Sequence, residues 1–158
     1  MSSPAITVAP DTPVQELARI LRENHISGVP VVNEKNEVLG AVTEVDMIAR
    51  NAPLKQPRYI PVLSGVIPFG QSYEEYKEQM RQILATDAGE LMSDDLPVIV
   101  SPETGLGRLL ELMQNSTVAI LCVVENNAII GVVTRTDLMQ LVEDLELELA
   151  ERDDEDGE

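Results

Sequence analysis

The chain has 158 residues, 44% of them hydrophobic, and its 28 acidic against 11 basic side chains give a formal net charge of −17. That charge argues against binding to nucleic acid backbones or anionic membranes, and the single cysteine, Cys122, excludes an internal disulfide and any Cys–Cys zinc or redox pair. No apolar run approaches the roughly 20 residues of a membrane span and no signal peptide is visible, so the expectation is a soluble protein, cytoplasmic or in an organelle stroma if eukaryotic.

Taken in order, Ile6-Thr7-Val8 is a brief strand candidate. Thr12-Pro13-Val14-Gln15 predicts a helix start, with Thr12 as N-cap, Pro13 at the first helical position and Gln15 closing a capping box. Its apolar face is Val14, Leu17, Ala18 and Leu21, widened by Ile20, and Ser27-Gly28 ends it. Val29 to Val32 and Val38 to Thr43 read as strands around the polar turn Asn33-Glu34-Lys35-Asn36. Thr43 caps a second helix through Met47, Ile48 and Arg50.

The stretch from Ala52 to Gly70 holds prolines at 53, 57, 61 and 68 and predicts an irregular loop. Ser72 to Ala85 reads as a helix with Tyr73, Tyr76, Met80 and Ile83 or Leu84 on one face. All four aromatic residues, Tyr59, Phe69, Tyr73 and Tyr76, lie in this insert, where they are expected to anchor a long connection against the core. Further strands are predicted near Val98–Val100, Val118–Val124 and Ile129–Thr134, with helices from Thr104 and from Arg135 through Leu141, Val142 and Leu145. Gly105 and Gly107 weaken the start of the first of these helices. From Glu143 to Glu158 ten acidic residues face the single Arg152, so this end carries −9 of the total and the rest −8. Its last residues, Glu151 to Glu158, are expected to be disordered.

The chain repeats itself. Gly40-Ala41-Val42-Thr43-Glu44-Val45-Asp46-Met47 recurs as Gly131-Val132-Val133-Thr134-Arg135-Thr136-Asp137-Leu138. Upstream, Ile6 to Thr12 lies over Val98 to Thr104, Leu17 over Leu109, and Val31-Val32 over Val123-Val124. A tandem duplication outranks other signals, since missing it misassigns the fold. Each copy reads strand, helix, strand, strand, helix. The boundaries are 1–51 for the first copy, 52–87 for the insert, 88–145 for the second copy and 146–158 for an acidic tail.

In both copies Thr-x-x-Asp stands where a strand passes into a helix. One reading is capping, with the hydroxyl on the third helical amide and the carboxylate favoured by the helix dipole. The other is binding, because the same geometry offers free amides and a hydroxyl to an anion and a carboxylate to ribose hydroxyls.

The duplicated β-α-β-β-α pattern, with Ser27-Gly28-Val29-Pro30-Val31-Val32 and Gly-x-x-Thr-x-x-Asp, resembles a pair of cystathionine-β-synthase-type (CBS) domains, in particular small stand-alone CBS-pair proteins of bacteria and plants. The resemblance implies an α+β fold in which two repeats pack sheet to sheet as a pseudo-twofold module. It also implies two clefts for adenosine-bearing ligands such as AMP, ADP, ATP or S-adenosylmethionine, with Mg²⁺ accompanying ADP or ATP. No catalysis is attributed to such a module, which regulates attached domains or partner proteins. Here that partner, like the ligand, is unnamed by the sequence.

Carried over residue by residue, one cleft combines Thr134, Thr136 and Asp137 with Ile26, Ser27, Gly28 and Pro30. Asp137 would hold the ribose hydroxyls, and the backbone around Ile26 to Gly28 would meet the adenine. The other combines Thr43 and Asp46 with Val118, Ala119 and Ile120. The sequence favours the first, since Val45 stands where Thr136 supplies a hydroxyl and the bulky Ile120 where Gly28 leaves room. Cys122 replaces Pro30. Before the second copy, Ala88 to Ser93 resembles the family's lead-in segment, most of which is missing before the first copy.

His25 reads as an exposed or capping residue and Cys122 as a small buried hydrophobe. Arg50, Lys55 and Arg58 could reach a phosphate or simply be solvated. No nucleophile–base pair, metal-ligand cluster or P-loop is present, which makes an enzyme the weakest reading; the leading expectation, which the resemblance implies, is a non-catalytic adenosine-nucleotide sensor. The alternative is a ligand-free interaction scaffold. Apolar helix residues Met47, Ile48, Leu138, Leu141, Val142 and Leu145 predict a homodimer.

Overall fold

A computed structural model describes residues 3–54, 58–62, 65–69, 72–93 and 96–144. The acidic tail, Leu145, Lys55 and the side chains of Arg58, Tyr59 and Phe69 lie outside the described set.

The first repeat contains α1 (Val14–Asn24), β1 (Gly28–Val32), β2 (Val38–Thr43) and α2 (Glu44–Asn51). Strands β1 and β2 pair antiparallel, with Gly28 opposite Thr43 and Val31 opposite Gly40. The second repeat contains β5 (Val98–Val100), α5 (Leu106–Met113), β6 (Ile120–Glu125), β7 (Ala128–Thr134) and a helix α6 over 135–144. Its sheet has the order β5-β6-β7, parallel then antiparallel. Asn126 and Asn127, both at positive φ, turn the chain between Glu125 and its partner Ala128, as a two-residue hairpin of the primed type requires.

The period of two along each strand sorts side chains between two layers. Val29, Val31 and Val42 point to α1, where they form a core with Leu17 and Leu21. Leu121, Val123 and Val133 do the same beneath α5. The alternate residues Ile120, Cys122 and Val132 face the first repeat and pack with Val38 and Ala41 of β2. The sheets therefore meet face to face. Gly28 lies at the centre of that contact: a Cβ there would stand 3.2 Å from Cγ2 of Ile120, its own counterpart in the repeat. A bond from the Ile129 amide to the Asn36 carbonyl (2.9 Å) joins the repeats at the hairpin end.

Several expectations are corrected. Ile6-Thr7-Val8 forms only a bridge at Val8, which donates to the Pro30 carbonyl (3.0 Å) and accepts from the Val32 amide (2.9 Å). The next parallel bonds on either side would need amide hydrogens on Pro30 and Pro10, and proline has none. Cys122 replaces Pro30 in the second repeat, and there the pairing extends over all three residues of β5. The Thr12/Gln15 capping box does not form: Pro13 occupies the N-cap of α1 without a side-chain cap bond. The Val14 amide instead donates to Thr86 (3.1 Å) and the Thr12 carbonyl accepts from Ala88 (2.9 Å). Backbone at the end of the insert and just after it does the work expected of a local side chain. At the other end of α1, exposed His25 is the C-cap in the left-handed region, φ 53°.

The insert is not an irregular loop throughout. Strands β3 (Arg58–Val62) and β4 (Gly65–Phe69) form an antiparallel hairpin in which Pro61 faces Val66 and Pro68 faces Tyr59. In a two-stranded sheet each strand is an edge, so a proline can sit with its missing donor outward. Helix α3 (Tyr73–Leu84) follows, capped by the Ser72/Glu75 box, and packs along α2. Tyr76 is half-buried, but Tyr73 is 64% exposed and anchors nothing. Arg50 donates to the Ala85 carbonyl (3.1 Å), a structural bond between α2 and the insert.

The short α4 (Ala88–Leu91) opens the second repeat yet completes the core of the first: Ala85, Ala88 and Leu91 are all buried with Leu17. Met47 is partly buried against the same core and Leu138 is buried in the second one. Ile48 remains exposed.

Candidate functional site

Both Thr-x-x-Asp elements adopt one local geometry. The Asp46 amide donates to Thr43 Oγ1 (3.3 Å), while Asp46 Oδ2 accepts from the Thr43 amide (2.7 Å) and hydroxyl (2.6 Å). In the second repeat the Asp137 amide donates to Thr134 Oγ1 (3.3 Å), and Asp137 Oδ2 accepts from the Thr134 amide and hydroxyl, both at 2.8 Å. The capping reading of the motif is thus realised twice. Burial works to raise the pKa of Asp137, but hydrogen bonds led by those from Thr134 outweigh it and hold the carboxyl below its ordinary value. The carboxylate keeps its charge and is held in place by its own threonine.

The two pairs flank the Gly28–Ile120 contact. Thr43 is paired with Gly28 across β1–β2, and Thr134 with Ile120 across β6–β7. On the Thr43 side lies a cavity of about 560 Å³. Thr43 and Asp46 line it from the first repeat, and Val118, Ala119 and Ile120 from the second. All five residues assigned to the second-ranked cleft thus share one space. Residues that sequence reasoning did not assign to it complete the wall: Ser93, Leu96 and Pro97 from the lead-in, Ser116 and Thr117 from the turn after α5, and Arg135 at the start of α6.

On the other side, Gly28 and Pro30 are buried, Ile26, Ser27, Thr134 and Asp137 are half-buried and Thr136 is exposed. Ile26 packs on the first core, and the Ser27 carbonyl accepts from the Glu44 amide (3.0 Å). The space left by the missing Cβ of Gly28 is met by Ile120 and Thr43 side chains. Serine 3 and Ala5 lie across the second sheet, Ser3 donating to the Ile130 carbonyl (3.1 Å) and Ala5 packing with the Ile120 cluster.

Among the described residues no group of three His, Cys, Asp or Glu is placed to hold a metal ion. None of the described helices is long and apolar enough to cross a membrane. Cys122 is fully buried, and desolvation pushes its thiol up to about 12.

Two duplicated halves that meet sheet to sheet, with a Thr–Asp pair beside each end of the contact, define a CBS-type module. The CBS domain family matches residues 1–52 and 88–144, and the chain belongs to that family. Among curated relatives it is 25% identical over 142 residues to the uncharacterized protein MJ1426 of Methanocaldococcus jannaschii, covering 85% of this chain and 84% of that one. It is 25% identical over 137 residues to the chloroplastic CBS domain-containing protein CBSX1 of Arabidopsis thaliana; the match covers 84% of this chain but only 57% of that protein's length. Among solved structures, CBSX2 of the same plant in complex with AMP superposes with a TM-score of 0.67 at 20% identity, covering 92% of this chain and 94% of that one. The CBS domain pair of protein MJ0100, in complex with 5′-methylthioadenosine and S-adenosyl-L-methionine, gives 0.65 at 18% identity, covering 90% and 91%.

Proposed function

We propose that this chain is a non-catalytic regulatory module that takes an adenosine-bearing ligand into the Thr43/Asp46 cavity. The observation that carries the reading is the cavity itself, about 560 Å³ and walled by both repeats, within the range of small-molecule sites. Oδ2 of Asp46 is committed to Thr43, and among the described residues Oδ1 has no partner, which suits it to ribose hydroxyls. Val118 to Ile120 supply apolar wall for a base. The AMP, methylthioadenosine and S-adenosylmethionine carried by the two solved CBS pairs support the ligand class, and Mg²⁺ would arrive only with ADP or ATP. A ligand that touches both repeats biases the module's shape or assembly wherever its affinity for two arrangements differs. The regulated protein would read that difference.

The Thr134/Asp137 side is the weaker seat in this reading. It keeps the same Thr–Asp geometry and a charged carboxylate. Against it, Ile120 stands where Gly28 was expected to leave room for a base.

A thermal-shift series with AMP, ADP, ATP and S-adenosylmethionine tests the proposal. A ligand at about 100 times its Kd stabilises by roughly 2.7 kcal/mol. No shift with any of the four contradicts the sensor and leaves a ligand-free scaffold.

We further infer self-association through Ile48 (70% exposed), Met139 (64%) and Leu141 (37%), apolar residues on the last helices of the two repeats. A monomeric mass by light scattering at about tens of micromolar contradicts it.

A further inference from the structure

We infer that Arg135 sets the charge class of the ligand, selecting adenosine compounds with a 5′-phosphate over uncharged or cationic ones. The inference rests on the cavity being an adenosine site and adds the ligand's charge to that reading.

Arg135 lines the cavity with its Nη2 donating to the carbonyls of Asn115 (3.2 Å) and Ser116 (3.3 Å). Both acceptors are neutral. They fix the guanidinium in place without cancelling its charge. The ion pairs among the described residues belong to Arg19, Arg22, Arg81 and Arg108, so Arg135 faces the cavity as a positioned cation with no described carboxylate against it. Guanidinium carries five donors; among the described residues those on Nη1 and Nε have no partner. Such a fork matches the geometry of a phosphate. The other charged lining residue, Asp46, would repel phosphate and suits hydroxyls, so the cavity offers one group for each part of a nucleotide.

The repeat supplies an internal comparison. Arg135 occupies the position that Glu44 holds in the first repeat, the first residue of the helix after the capping threonine. An acidic side chain is what the local physics favours there, because the helix N-terminus is the positive end of the dipole. The first repeat follows that preference. In the second, an exposed cation that lines the cavity stands against it, and an anionic ligand accounts for the exception.

The test is calorimetric titration of AMP, adenosine and S-adenosylmethionine into the full chain and into Arg135→Gln, Arg135→Lys and Arg135→Glu, with the melting temperature of each apo variant recorded. The wild type should bind AMP at least about tenfold more tightly than adenosine. Arg135→Gln should lose about 10- to 150-fold in AMP affinity, the range for a hydrogen bond to a charged group, and leave adenosine within about twofold. Arg135→Lys should keep part of the preference, and Arg135→Glu should shift it toward the sulfonium ligand. If Arg135→Gln fails to fold, the lysine variant carries the test through salt: AMP affinity should fall with added NaCl and adenosine affinity should not. Equal wild-type affinity for AMP and adenosine, or parallel loss of both in Arg135→Gln, overturns the inference and leaves Arg135 as a brace for the 115–116 turn, with the adenosine site intact. Failure of the wild type to bind any of the three overturns the site reading and this inference together.

Discussion

The two repeats close their cores differently. Helix α1 of the first repeat is covered by Ala85, Ala88 and Leu91, so Leu17 is fully buried. Its repeat counterpart on α5, Leu109, is only half-buried, as are Leu106, Leu110 and Leu112. The same sequence pattern therefore builds a sealed unit in one half and a more open one in the other. The sealing segment spans the end of the insert and the start of the second repeat, leads into Ser93 in the wall of the cavity, and is tied to the insert by Arg81, which donates to the Glu90 and Met92 carbonyls. Stability of the first repeat and the shape of the Thr43/Asp46 cavity thus depend on one strip of chain.

Substitution of the paired leucines exposes that difference most strongly. Leu17→Ala should cost about 2–5 kcal/mol, the usual range for a fully buried leucine, and Leu109→Ala markedly less. Chemical denaturation of both variants checks this, and equal losses would mean that the two cores are sealed alike. A smaller effect is expected at Gly40, where a Cβ would stand 2.5 Å from Sδ of Met92. Gly40→Val should cost about 1–3 kcal/mol through overpacking, and by displacing Met92 it should weaken AMP binding. Unchanged stability would show that the lead-in yields freely.

The capping pairs should behave alike where the cores do not. Thr43→Val and Thr134→Val should each cost about 0.5–2 kcal/mol. Removing the Thr134 hydroxyl should also raise the pKa of Asp137, which now lies below its ordinary value. Because the folded value is the lower one, the stability contributed by Asp137 is complete above the unfolded pKa. It is lost as pH falls through the folded pKa. An NMR titration in which Thr134→Val leaves Asp137 unmoved would contradict the assignment of cause. The smallest effect concerns Cys122, which should react with a thiol reagent at pH 8 only on unfolding, given its burial and a thiol pKa near 12. Fast labelling of the native protein would show that the sheet interface opens.

Much of this arrangement was legible in the sequence because the duplication repeats its own signals. Strand alternation, the Asn-rich turns and the Thr-x-x-Asp caps are local, and local chemistry decided them. What failed to show was decided at a distance. Pro61 and Pro68 read as loop residues because nothing nearby reveals that both strands of their hairpin are edges. Thr12 lost its capping role to backbone at Thr86 and Ala88, more than seventy residues away. The comparison of Val45 with Thr136 and of Ile120 with Gly28 favours the Asp137 side, whereas the cavity among the described residues lies on the Thr43 side, because sequence comparison does not show what fills the space at Gly28. Gly28 leaves space that Ile120 fills, and Arg135, set opposite Glu44 by the repeat, lines the cavity without any local signal that places it there.

The central claim is that the Thr43/Asp46 cavity is the principal adenosine site, and one paired titration addresses it. AMP should be titrated calorimetrically into Asp46→Ala and Asp137→Ala beside the wild type, with melting temperatures to confirm folding. The account predicts one principal site per chain, a loss of about 10- to 150-fold in Asp46→Ala and a change within about threefold in Asp137→Ala. Loss of binding in Asp137→Ala with Asp46→Ala spared would contradict it and move the site to the opposite side of the Gly28–Ile120 contact.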